Sequence, residues 1–262
     1  MTHQLLDITG KICLITGGTS GLGKAISVGL AQAGACVIAA SSDPDKVRAM
    51  QIELAAMGPG HQAVALNVTV PADVDRIMQQ VRQHFGRIDA VVNAAGIHRK
   101  QPSLDVTMED FEQIIRINLT GAFVVNQAAA RVMKDQPPDA QGCRGCLVNI
   151  ASVSSFMSLT EVIAYACSKS GVMGLISGLA NEWAPLGIRV NGIAPGFFPT
   201  NLNRKILEGT PRGEWIKKHT PMARFGDGRE LLGAAIYLIS DAASFTTGET
   251  IVVDGGFLTK GA

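Results

Sequence analysis

The chain has 262 residues, 47% of them apolar, and its 23 basic residues nearly balance 22 acidic ones. A chain of this length can bury a large core without disulfides or metal ions, and the balanced charge favours neither nucleic-acid binding nor an anionic membrane surface. The amino-terminal sequence MTHQLLDITGKICLITGG lacks the basic start and continuous apolar stretch of a signal peptide, and no apolar run reaches the roughly 20 residues that span a bilayer. A cytoplasmic location is therefore expected.

Strand-length apolar runs alternate with helix-length stretches through the first half of the chain. Asp43 is a candidate N-cap for the second helix, because its carboxylate can accept hydrogen bonds from free N–H groups, and Pro44 suits the first helical position. The predicted strands are KICLIT from residue 11, CVIAAS from 36, HQAVALNV from 61 and IDAVVNAAG from 88, and the predicted helices span 21–34, 43–58 and 71–86.

The second half repeats this alternation, with predicted helices at about 108–134, 161–184 and 227–240. The predicted strands are CLVNIAS from residue 146, IRVNGIAPG from 188 and TIVVDGG from 250. Continuous apolar strands are typical of a parallel sheet that is covered on both faces. The sequence therefore predicts one α/β domain over residues 1–262, a doubly wound, Rossmann-like parallel sheet with right-handed crossovers and helices on both faces.

Residues 195–224 interrupt the alternation. This stretch is rich in proline and glycine, contains Trp215, and is long for a connection within a compact domain. Long insertions of this kind often form the loops that close over a ligand, so we expect a substrate loop here.

The five cysteines do not form a disulfide framework, because they are odd in number and scattered through a long chain. Cys143 and Cys146 form a C-x-x-C pair, but a structural zinc site needs four ligands and the sequence has no second pair. We therefore predict no metal site and interpret these residues as ordinary thiols.

A glycine-rich stretch, TGGTSGLG at residues 16–23, lies between the first predicted strand and the first predicted helix. Glycines here permit a tight turn and a close approach of the backbone to a pyrophosphate, while the helix start supplies free N–H groups. The spacing of Gly17, Gly21 and Gly23 differs from G-x-G-x-x-G, and no Lys-Ser/Thr follows to make a nucleoside triphosphate loop. Nucleotide binding is favoured over a merely flexible turn.

The end of the second strand bears on the choice between NAD and NADP. An acidic residue there would hold the adenosine ribose, and an arginine would hold a 2′-phosphate. The strand instead ends Ala-Ser-Ser-Asp at residues 40–43, and Ser20 in the glycine loop is also uncharged. These residues favour NAD over NADP, whereas Lys46 and Arg48 favour NADP if their helix begins close by.

Tyr165 and Lys169 are four residues apart on a predicted helix and share one of its faces. An ammonium near a phenol favours the phenolate, and a charge pair at about 4 Å is worth ~4 kcal/mol at an effective dielectric constant of ~20. Since one pKa unit corresponds to ~1.4 kcal/mol, the phenol pKa of ~10 could fall by two or three units. Ser152, at the end of a strand, can hydrogen-bond a substrate oxygen. The alternative is that Tyr165 and Lys169 are an ordinary surface pair without a chemical role.

Together these motifs resemble the short-chain dehydrogenase/reductase family over nearly the entire chain. TGGTSGLG matches the family pattern T-G-x-x-x-G-x-G, NAAG at 93–96 matches its N-N/A-A-G, and Asn118 in INLTGAF matches its helix asparagine. Ser152, then YACSK and APGFFPT, follow in the family's order and spacing.

The resemblance implies a role for each matched residue. Tyr165 would be the general acid/base, Lys169 would bind the nicotinamide ribose and lower the pKa of the tyrosine, and Ser152 would orient the substrate. Asn118 would hold a water in a proton relay through a helix backbone carbonyl. The family pattern also implies a homotetramer.

The resemblance further implies a cofactor site that extends from adenine to nicotinamide. Asn67 would lie at the adenine, where the family more often has aspartate, and residues 195–200 would wrap the nicotinamide with Thr200 near the carboxamide or the pyrophosphate. The predicted cofactor-binding residues are Gly17, Thr19, Ser20, Gly21, Leu22, Gly23, Ser41, Ser42, Asn67, Val68, Asn93, Ala94, Ala95, Gly96, Tyr165, Lys169, Pro195, Gly196, Phe198 and Thr200.

Three segments resemble the sugar-acid branch of this family, which includes gluconate 5-dehydrogenases and 2-deoxygluconate 3-dehydrogenases: AGIHRKQP, LANEWAPLGIRVNGIAPGFFPTNL and TPMARFG. Arg99 follows the fourth strand, at the sheet edge where ligands bind, and its guanidinium could hold a carboxylate through two hydrogen bonds. His98 and Arg224 are the other candidate substrate-binding residues. A solvated loop arginine or a subunit contact is the alternative for Arg99.

The predicted function is therefore NAD(P)-dependent interconversion of a secondary alcohol and a ketone on a sugar acid, with a small-molecule substrate rather than nucleic acid or membrane as partner. One alternative is a 3-oxoacyl-acyl-carrier-protein reductase, whose carrier could dock on Arg99, Lys100, Arg131 and Lys134. An alternative of another class is a non-catalytic nucleotide-binding sensor or scaffold. The intact set of acid/base residues disfavours it, because a protein that only binds has no need of the tyrosine.

Overall fold

Seven parallel strands form one sheet in this computed structural model, which describes residues 2–200 and 203–260. The strands are β1 (Ile12–Thr16), β2 (Cys36–Ser41), β3 (Gln62–Ala65), β4 (Ala90–Asn93), β5 (Gly145–Ile150), β6 (Ile188–Pro195) and β7 (Thr250–Val253). They lie in the order β3-β2-β1-β4-β5-β6-β7, and each neighbouring pair is parallel. The order reverses between β1 and β4, which is where such sheets bind ligands at the carboxyl edge.

Helices cover both faces of the sheet and confirm the predicted doubly wound fold. One face packs against α2 (Gly21–Gln32), α3 (Pro44–Ala55) and α10 (Leu232–Ile239), and the other against α4 (Pro71–Phe85), α6 (Gly121–Met133) and α7 (Ile163–Trp183). Successive strand residues face opposite sides, so Cys13 and Ile15 join the first core while Leu14 joins the second. The remaining α-helices in the described residues are α1 (Thr2–Leu5), α5 (Met108–Ile115), α8 (Arg204–Leu207) and α9 (Pro211–His219).

Local sequence signals set several helix ends where they were predicted. Asp43 caps α3, since its carboxylate accepts hydrogen bonds from the N–H groups of Asp45 at 3.0 Å and Lys46 at 3.2 Å, and Pro44 is the first helical residue. At the other end of an element, α4 stops at Gly86, whose φ of +79° is readily adopted only by glycine.

A π-helical turn, Arg116–Thr120, divides the region predicted as one helix over 108–134 into α5 and α6. The turn directs the buried Asn118 side chain toward the loop after β4, where it hydrogen-bonds both the N–H and the carbonyl of Ile97. Just after the turn, Gly121 fits closely, because a Cβ there would lie 2.8 Å from Val68. Such turns are frequent at functional sites.

Three buried asparagines connect the strand ends beneath this loop. The side-chain amide of Asn93 on β4 donates to Asn126 on α6 and to Asn149 on β5, at 2.9 Å and 3.0 Å. Asn126 in turn donates to Asn149 at 2.8 Å. Since buried amides are costly unless they are hydrogen-bonded, this set fixes the relative positions of β4, β5 and α6.

Helix α7 carries Tyr165 and Lys169 and packs on the sheet through Val172, Ile176 and Leu179. Together with the turn that follows, Ile163–Leu186 is long and apolar enough to cross a bilayer by length and composition alone. Its buried face lies in the core, as expected for a central helix of an α/β sheet.

The segment predicted as a substrate loop, residues 195–224, contains α8 and α9, with positions 201 and 202 outside the described residues. Its two ends meet where the N–H of Gly226 donates to the carbonyl of Phe197 at 2.9 Å. Thr210 caps α9 by accepting from the N–H of Gly213 at 3.0 Å. The segment is thus a folded flap at the carboxyl edge rather than an open loop.

Candidate active site

A pocket opens at the carboxyl edge of the sheet and runs from the glycine loop to α9. It collects residues from the ends of β1, β4, β5 and β6 together with α7 and the flap. Among the residues that line it are Gly17, Ser20, Gly21, Leu22, Gly23, Ala94, Gly96, His98, Lys100, Ile150, Ser152, Leu159, Val162, Tyr165, Lys169, Pro195, Gly196, Phe198, Thr200, Leu207 and Arg212.

The glycine loop forms a cradle in which side chains do not fit. Gly17 has a φ of +65°, and a Cβ there would lie 2.8 Å from the backbone of Ala95. A Cβ on Gly23 would lie 2.3 Å from the carbonyl oxygen of Gly17. Contacts this short exclude any residue larger than glycine, so the loop is built for close approach of its backbone to a neighbour or ligand.

The start of α2 presents its free backbone N–H groups to this cradle. The N-cap Ser20 makes no side-chain capping bond to the described residues, and the first N–H of the helix bonded back to Ser20 is that of Lys24, at 3.0 Å. The buried hydroxyl of Thr19 likewise has no hydrogen-bond partner among the described residues. These free donors fit the pyrophosphate of a dinucleotide, which a helix start binds through its N–H groups and partial positive charge.

The residues predicted at the adenosine end lie farther along the same edge and do not line the described pocket. Ser41 accepts from the N–H of Asp43 at 3.2 Å. The Asn67 side-chain oxygen accepts from the N–H and hydroxyl of Thr69, at 3.0 Å and 2.8 Å. Val68 is buried beside Gly121. Ser42 follows β2 directly. Because these four residues lie outside the described pocket lining, a ligand would contact them only if it extended beyond the pocket along the sheet edge.

Asn93, also predicted as a cofactor residue, faces the interior instead, because its side chain belongs to the buried asparagine set. Its neighbours Ala94 and Ala95 pack on the glycine loop, Ala94 against Gly23 and Ala95 against Gly17. The NAAG stretch therefore supports the cradle through its backbone and small side chains.

The structure brings Ser152, Tyr165 and Lys169 together in the pocket. Ser152 follows β5 and caps the 3-10 turn Val153–Ser155, accepting from the N–H of Ser154 at 3.1 Å. The Lys169 ammonium lies 5.8 Å from the centre of the Tyr165 ring and donates to the Ile150 carbonyl at 2.6 Å. The side chain of Lys169 is buried, being 6% exposed.

Burial dominates the electrostatics of both titrating groups. It raises the pKa of the Tyr165 phenol above its ordinary value, against the opposing effect of a hydrogen bond with Ser152. Burial also lowers the pKa of Lys169 to about 8. The expected lowering of the tyrosine pKa is therefore wrong for the protein alone, because desolvation outweighs an ammonium that is bound to a carbonyl rather than to the phenol.

Asn118 positions the elements around this centre. Its oxygen accepts from the N–H of Ile97 at 2.8 Å, and its amide donates to the carbonyl of Ile97 at 2.9 Å and to the Ser168 hydroxyl at 3.1 Å. These bonds connect the loop after β4 to α7, one residue away from Lys169. A water relay through its backbone carbonyl stays a prediction.

Beyond Ser152 and Tyr165, the predicted substrate-binding residues His98, Arg99 and Arg224 lie in different surroundings. The His98 ring lies in the pocket, edge-on to the Tyr165 ring with centres 5.0 Å apart, and burial followed by the charge of Arg212 lowers its pKa. Arg99 instead pairs with Asp110 and Gln113, and Arg224 binds both carboxylate oxygens of Glu230, so neither is among the described residues that line the pocket.

Two other cations line the pocket instead. Lys100, which the sequence assigned only to a possible docking surface, and Arg212, which it did not single out, both line the pocket. Arg212 lies on α9, inside the flap. The useful signal was the basic character of the flap itself, read together with the expectation that it covers the substrate.

The C-x-x-C pair lies away from this site. Cys146 is buried within β5, and burial raises the pKa of its thiol to about 11. A buried thiol with a raised pKa is inert.

Comparison with known proteins gives consistent findings. A family profile described as enoyl-(acyl carrier protein) reductase matches residues 17–258. The chain is 35% identical over 260 residues to the 2-dehydro-3-deoxy-D-gluconate 5-dehydrogenase of Formosa agariphila, covering 98% of this chain and 96% of that one. It is 37% identical over 253 residues to the D-threitol dehydrogenase of Mycolicibacterium smegmatis, covering 97% and 95%.

Among solved structures, a gluconate 5-dehydrogenase from Burkholderia cenocepacia, crystallised in complex with NADP and tartrate, has the same fold with a TM-score of 0.91. The two chains are 35% identical, and the match covers 99% of each. Similarity over the full length of both chains means that the two proteins share the whole fold.

We expect the Lys169→Met variant to be more stable than the natural chain at pH 7. The folded pKa of about 8 is below the ordinary 10.5, so the cost of burying the charge is fully present below pH 8 and disappears between pH 8 and 10.5. At ~1.4 kcal/mol per pKa unit, burying the charge costs roughly 3 kcal/mol. The variant recovers this cost but loses about 1 kcal/mol with the hydrogen bond to Ile150. Urea denaturation without cofactor at pH 7 and pH 9.5 measures the difference in the free energy of unfolding between the variant and the natural chain.

The exposed Lys134→Met variant is the control and should change stability by less than about 0.5 kcal/mol at either pH. A Lys169→Met protein that is less stable than the natural chain at both pH values would contradict the burial cost.

Proposed function

The chain belongs to the short-chain dehydrogenase/reductase family, and we propose that it interconverts a secondary alcohol and a ketone on a sugar acid, with NAD or NADP as cofactor. Membership makes it an oxidoreductase that acts on CH–OH groups. The observation that carries the proposal is the convergence of Ser152, Tyr165 and Lys169 beside the glycine cradle in one pocket. A hydroxyl, a phenol and a buried ammonium at one point suit proton transfer to and from an oxygen.

The cofactor supplies the hydride acceptor or donor when it is bound. The chain supplies the proton and the orientation. Ser152 donates its hydrogen bond to the substrate oxygen, and Tyr165 gives its proton to that oxygen in ketone reduction or takes it in alcohol oxidation. Lys169, buried behind them and close to the glycine cradle, offers its ammonium to the ribose hydroxyls.

The raised pKa of Tyr165 determines the protonation state of the centre before ligands bind. The phenol keeps its proton, so Tyr165 is ready to act as the acid in ketone reduction. Lys169, with a pKa of about 8, is mostly protonated at neutral pH. Its charge, 5.8 Å from the ring, then stabilises the phenolate that remains when the proton has left.

A carboxylate on the substrate fits the charge of the pocket. Lys100 and Arg212 both line it, and among the described residues the one acidic group bonded to them is Glu161. Relatives named for gluconate and its keto derivatives, and a neighbour that holds tartrate, support the same class. The family profile's description supports a second candidate, an acyl-carrier-protein reductase, whose acyl chain could use the apolar Leu159, Val162 and Leu207.

The end of β2 accommodates either cofactor. Asp43, the one carboxylate within residues 40–43, is used by the cap of α3 and by Lys46, whose ammonium lies 2.8 Å away. No arginine stands there, which favours NAD as the sequence does. Lys46, however, lies at the first turn of α3, and neighbours that hold NADP favour the phosphorylated form. We therefore propose that the chain accepts both.

We propose a cytoplasmic homo-oligomer. Leu104, Met108 and Phe123 expose apolar side chains around α5 and α6, while Phe245 and Val252 do so near β7, one of the two edge strands of the sheet. Two separate apolar surfaces fit the two interfaces of a tetramer. Recovery of the protein in a membrane or secreted fraction of its own cells would contradict the location.

The central prediction is turnover of a sugar acid by the purified protein. A panel should include gluconate, 2-deoxygluconate, their keto forms, the neutral polyol D-threitol and an acetoacetyl thioester, each with NAD and NADP. We expect kcat/KM to be highest for an acid, with both cofactors used, as read by absorbance of the reduced nicotinamide. Fast reduction of the thioester with no turnover of any acid would replace the proposal with the acyl reductase.

The Tyr165→Phe variant should bind cofactor normally yet lose turnover by a factor of about 100 or more, because a general acid contributes roughly 100- to 10,000-fold. Fluorescence titration with reduced cofactor measures binding, and steady-state kinetics measure kcat. Substantial activity in this variant would remove the phenol from the mechanism.

The mass in solution should be that of a homo-oligomer, read by light scattering on a size-exclusion column. The Phe245→Ser variant should weaken assembly, because it removes an exposed apolar side chain from the β7 surface. A monomeric natural chain at micromolar concentration would contradict this proposal.

A further inference from the structure

Three charged side chains meet at the outer end of the pocket. The Glu161 carboxylate lies 2.9 Å from the ammonium of Lys100 and 3.6 Å from the guanidinium of Arg212. Lys100 and Arg212 line the same pocket as Ser152 and Tyr165, and each charged side chain is about one third exposed. Partial burial strengthens their electrostatics relative to a fully solvated pair.

The backbone holds Glu161 where it is at some cost. Its φ is +65°, in the left-handed region that residues other than glycine seldom adopt. Its carbonyl accepts from the N–H of Gln101 at 2.8 Å, which ties the loop after β4 to the start of α7. Strain of this kind persists only where the surroundings fix it, and it clusters at ligand sites.

The His98 imidazole neighbours both the charged cluster and the reaction centre. The charge of Arg212 reaches the imidazole of His98, and that imidazole packs on the Tyr165 ring. Because burial and then Arg212 lower the pKa of His98 below its ordinary value, this imidazole adds no cation to the pocket at neutral pH. A substrate that places its reacting oxygen at Ser152 and Tyr165 occupies the same pocket that the two cations line.

We propose that Lys100 and Arg212 bind the carboxylate of the substrate and that Glu161 is an internal anion that occupies them until the substrate displaces it. This inference rests on the proposed function, because it requires a sugar acid as substrate. Two cations share the one carboxylate of Glu161, so the cluster keeps a net positive charge that attracts the carboxylate of a substrate. A neutral substrate gains nothing from the exchange.

The charges predict opposite effects for the two kinds of substitution. Removing either cation raises KM for the acid, by roughly 10-fold or more, because hydrogen bonds to charged groups are lost. Removing the charge of Glu161 lowers KM for the acid, because its competitor is gone. D-Threitol, which has no carboxylate, should keep its kcat/KM within about threefold in each variant.

The experiment measures kcat and KM on the best acid of the panel and on D-threitol for Arg212→Leu, Lys100→Met and Glu161→Gln. Arg229→Leu is the matched control, since Arg229 is an exposed arginine paired with Asp227 outside the described pocket lining. Circular dichroism and cofactor titration confirm that each variant is folded. If Arg212→Leu does not fold, Arg212→Gln and Lys100→Met decide the result.

The inference is supported if KM for the acid rises in the two cation variants and falls in Glu161→Gln, while kcat/KM for D-threitol stays nearly constant. Equal losses on acid and polyol, or an unchanged KM for the acid in both cation variants, would overturn it. A raised KM for the acid in Glu161→Gln would overturn the part given to Glu161. A natural chain that turns over the polyol or the thioester but no acid overturns the proposed function, which separates the two failures.

Discussion

The site depends on a cation that is buried against a backbone carbonyl. Lys169 donates to Ile150 at the end of β5, and among the described residues it forms no ion pair. Burial without a carboxylate lowers its pKa to about 8, so the fold carries an ammonium that is unfavourable at neutral pH. A protein selected for stability alone would place an apolar side chain there. The charge is useful only when hydroxyl groups and a phenolate come within reach of it.

One amide determines where that cation lies relative to the rest of the pocket. Asn118 binds Ile97 through two hydrogen bonds and Ser168 through a third, so one side chain joins the loop that carries His98 to the helix that carries Lys169. The π-helical turn makes this possible, because it aims Asn118 away from the surface of an otherwise regular helix. A regular helix over the same residues would rotate the side chain off the loop. The irregularity thus belongs to the site as much as the acid/base residues do.

Local chemistry explains which features the sequence could predict. The strands, the cap at Asp43 and the one-turn spacing of Tyr165 and Lys169 depend on neighbours in the chain, and the structure has them where they were expected. Arg99 was a reasonable candidate because it follows β4. Its guanidinium instead pairs with Asp110 on α5, and this pairing depends on how the loop after β4 packs against α5. The basic character of the flap indicates cations near the substrate, but without hydrophobic periodicity the sequence does not show that Arg212 is one that lines the pocket.

The distribution of charge then explains what kind of molecule the pocket selects. The chain as a whole carries a formal charge of only +1, yet Lys100, Lys169 and Arg212 all line one pocket. A field confined to a cleft with low-dielectric walls is stronger than the same charges spread over a surface, and it concentrates anions there. The glycine cradle accounts for an anionic cofactor at one end. Lys100 and Arg212 come from the loop after β4 and from α9 of the flap, and neither belongs to the glycine cradle. Their charge is explained by a second anion that enters from the flap side, and Glu161 keeps the two cations from being unpaired until it arrives.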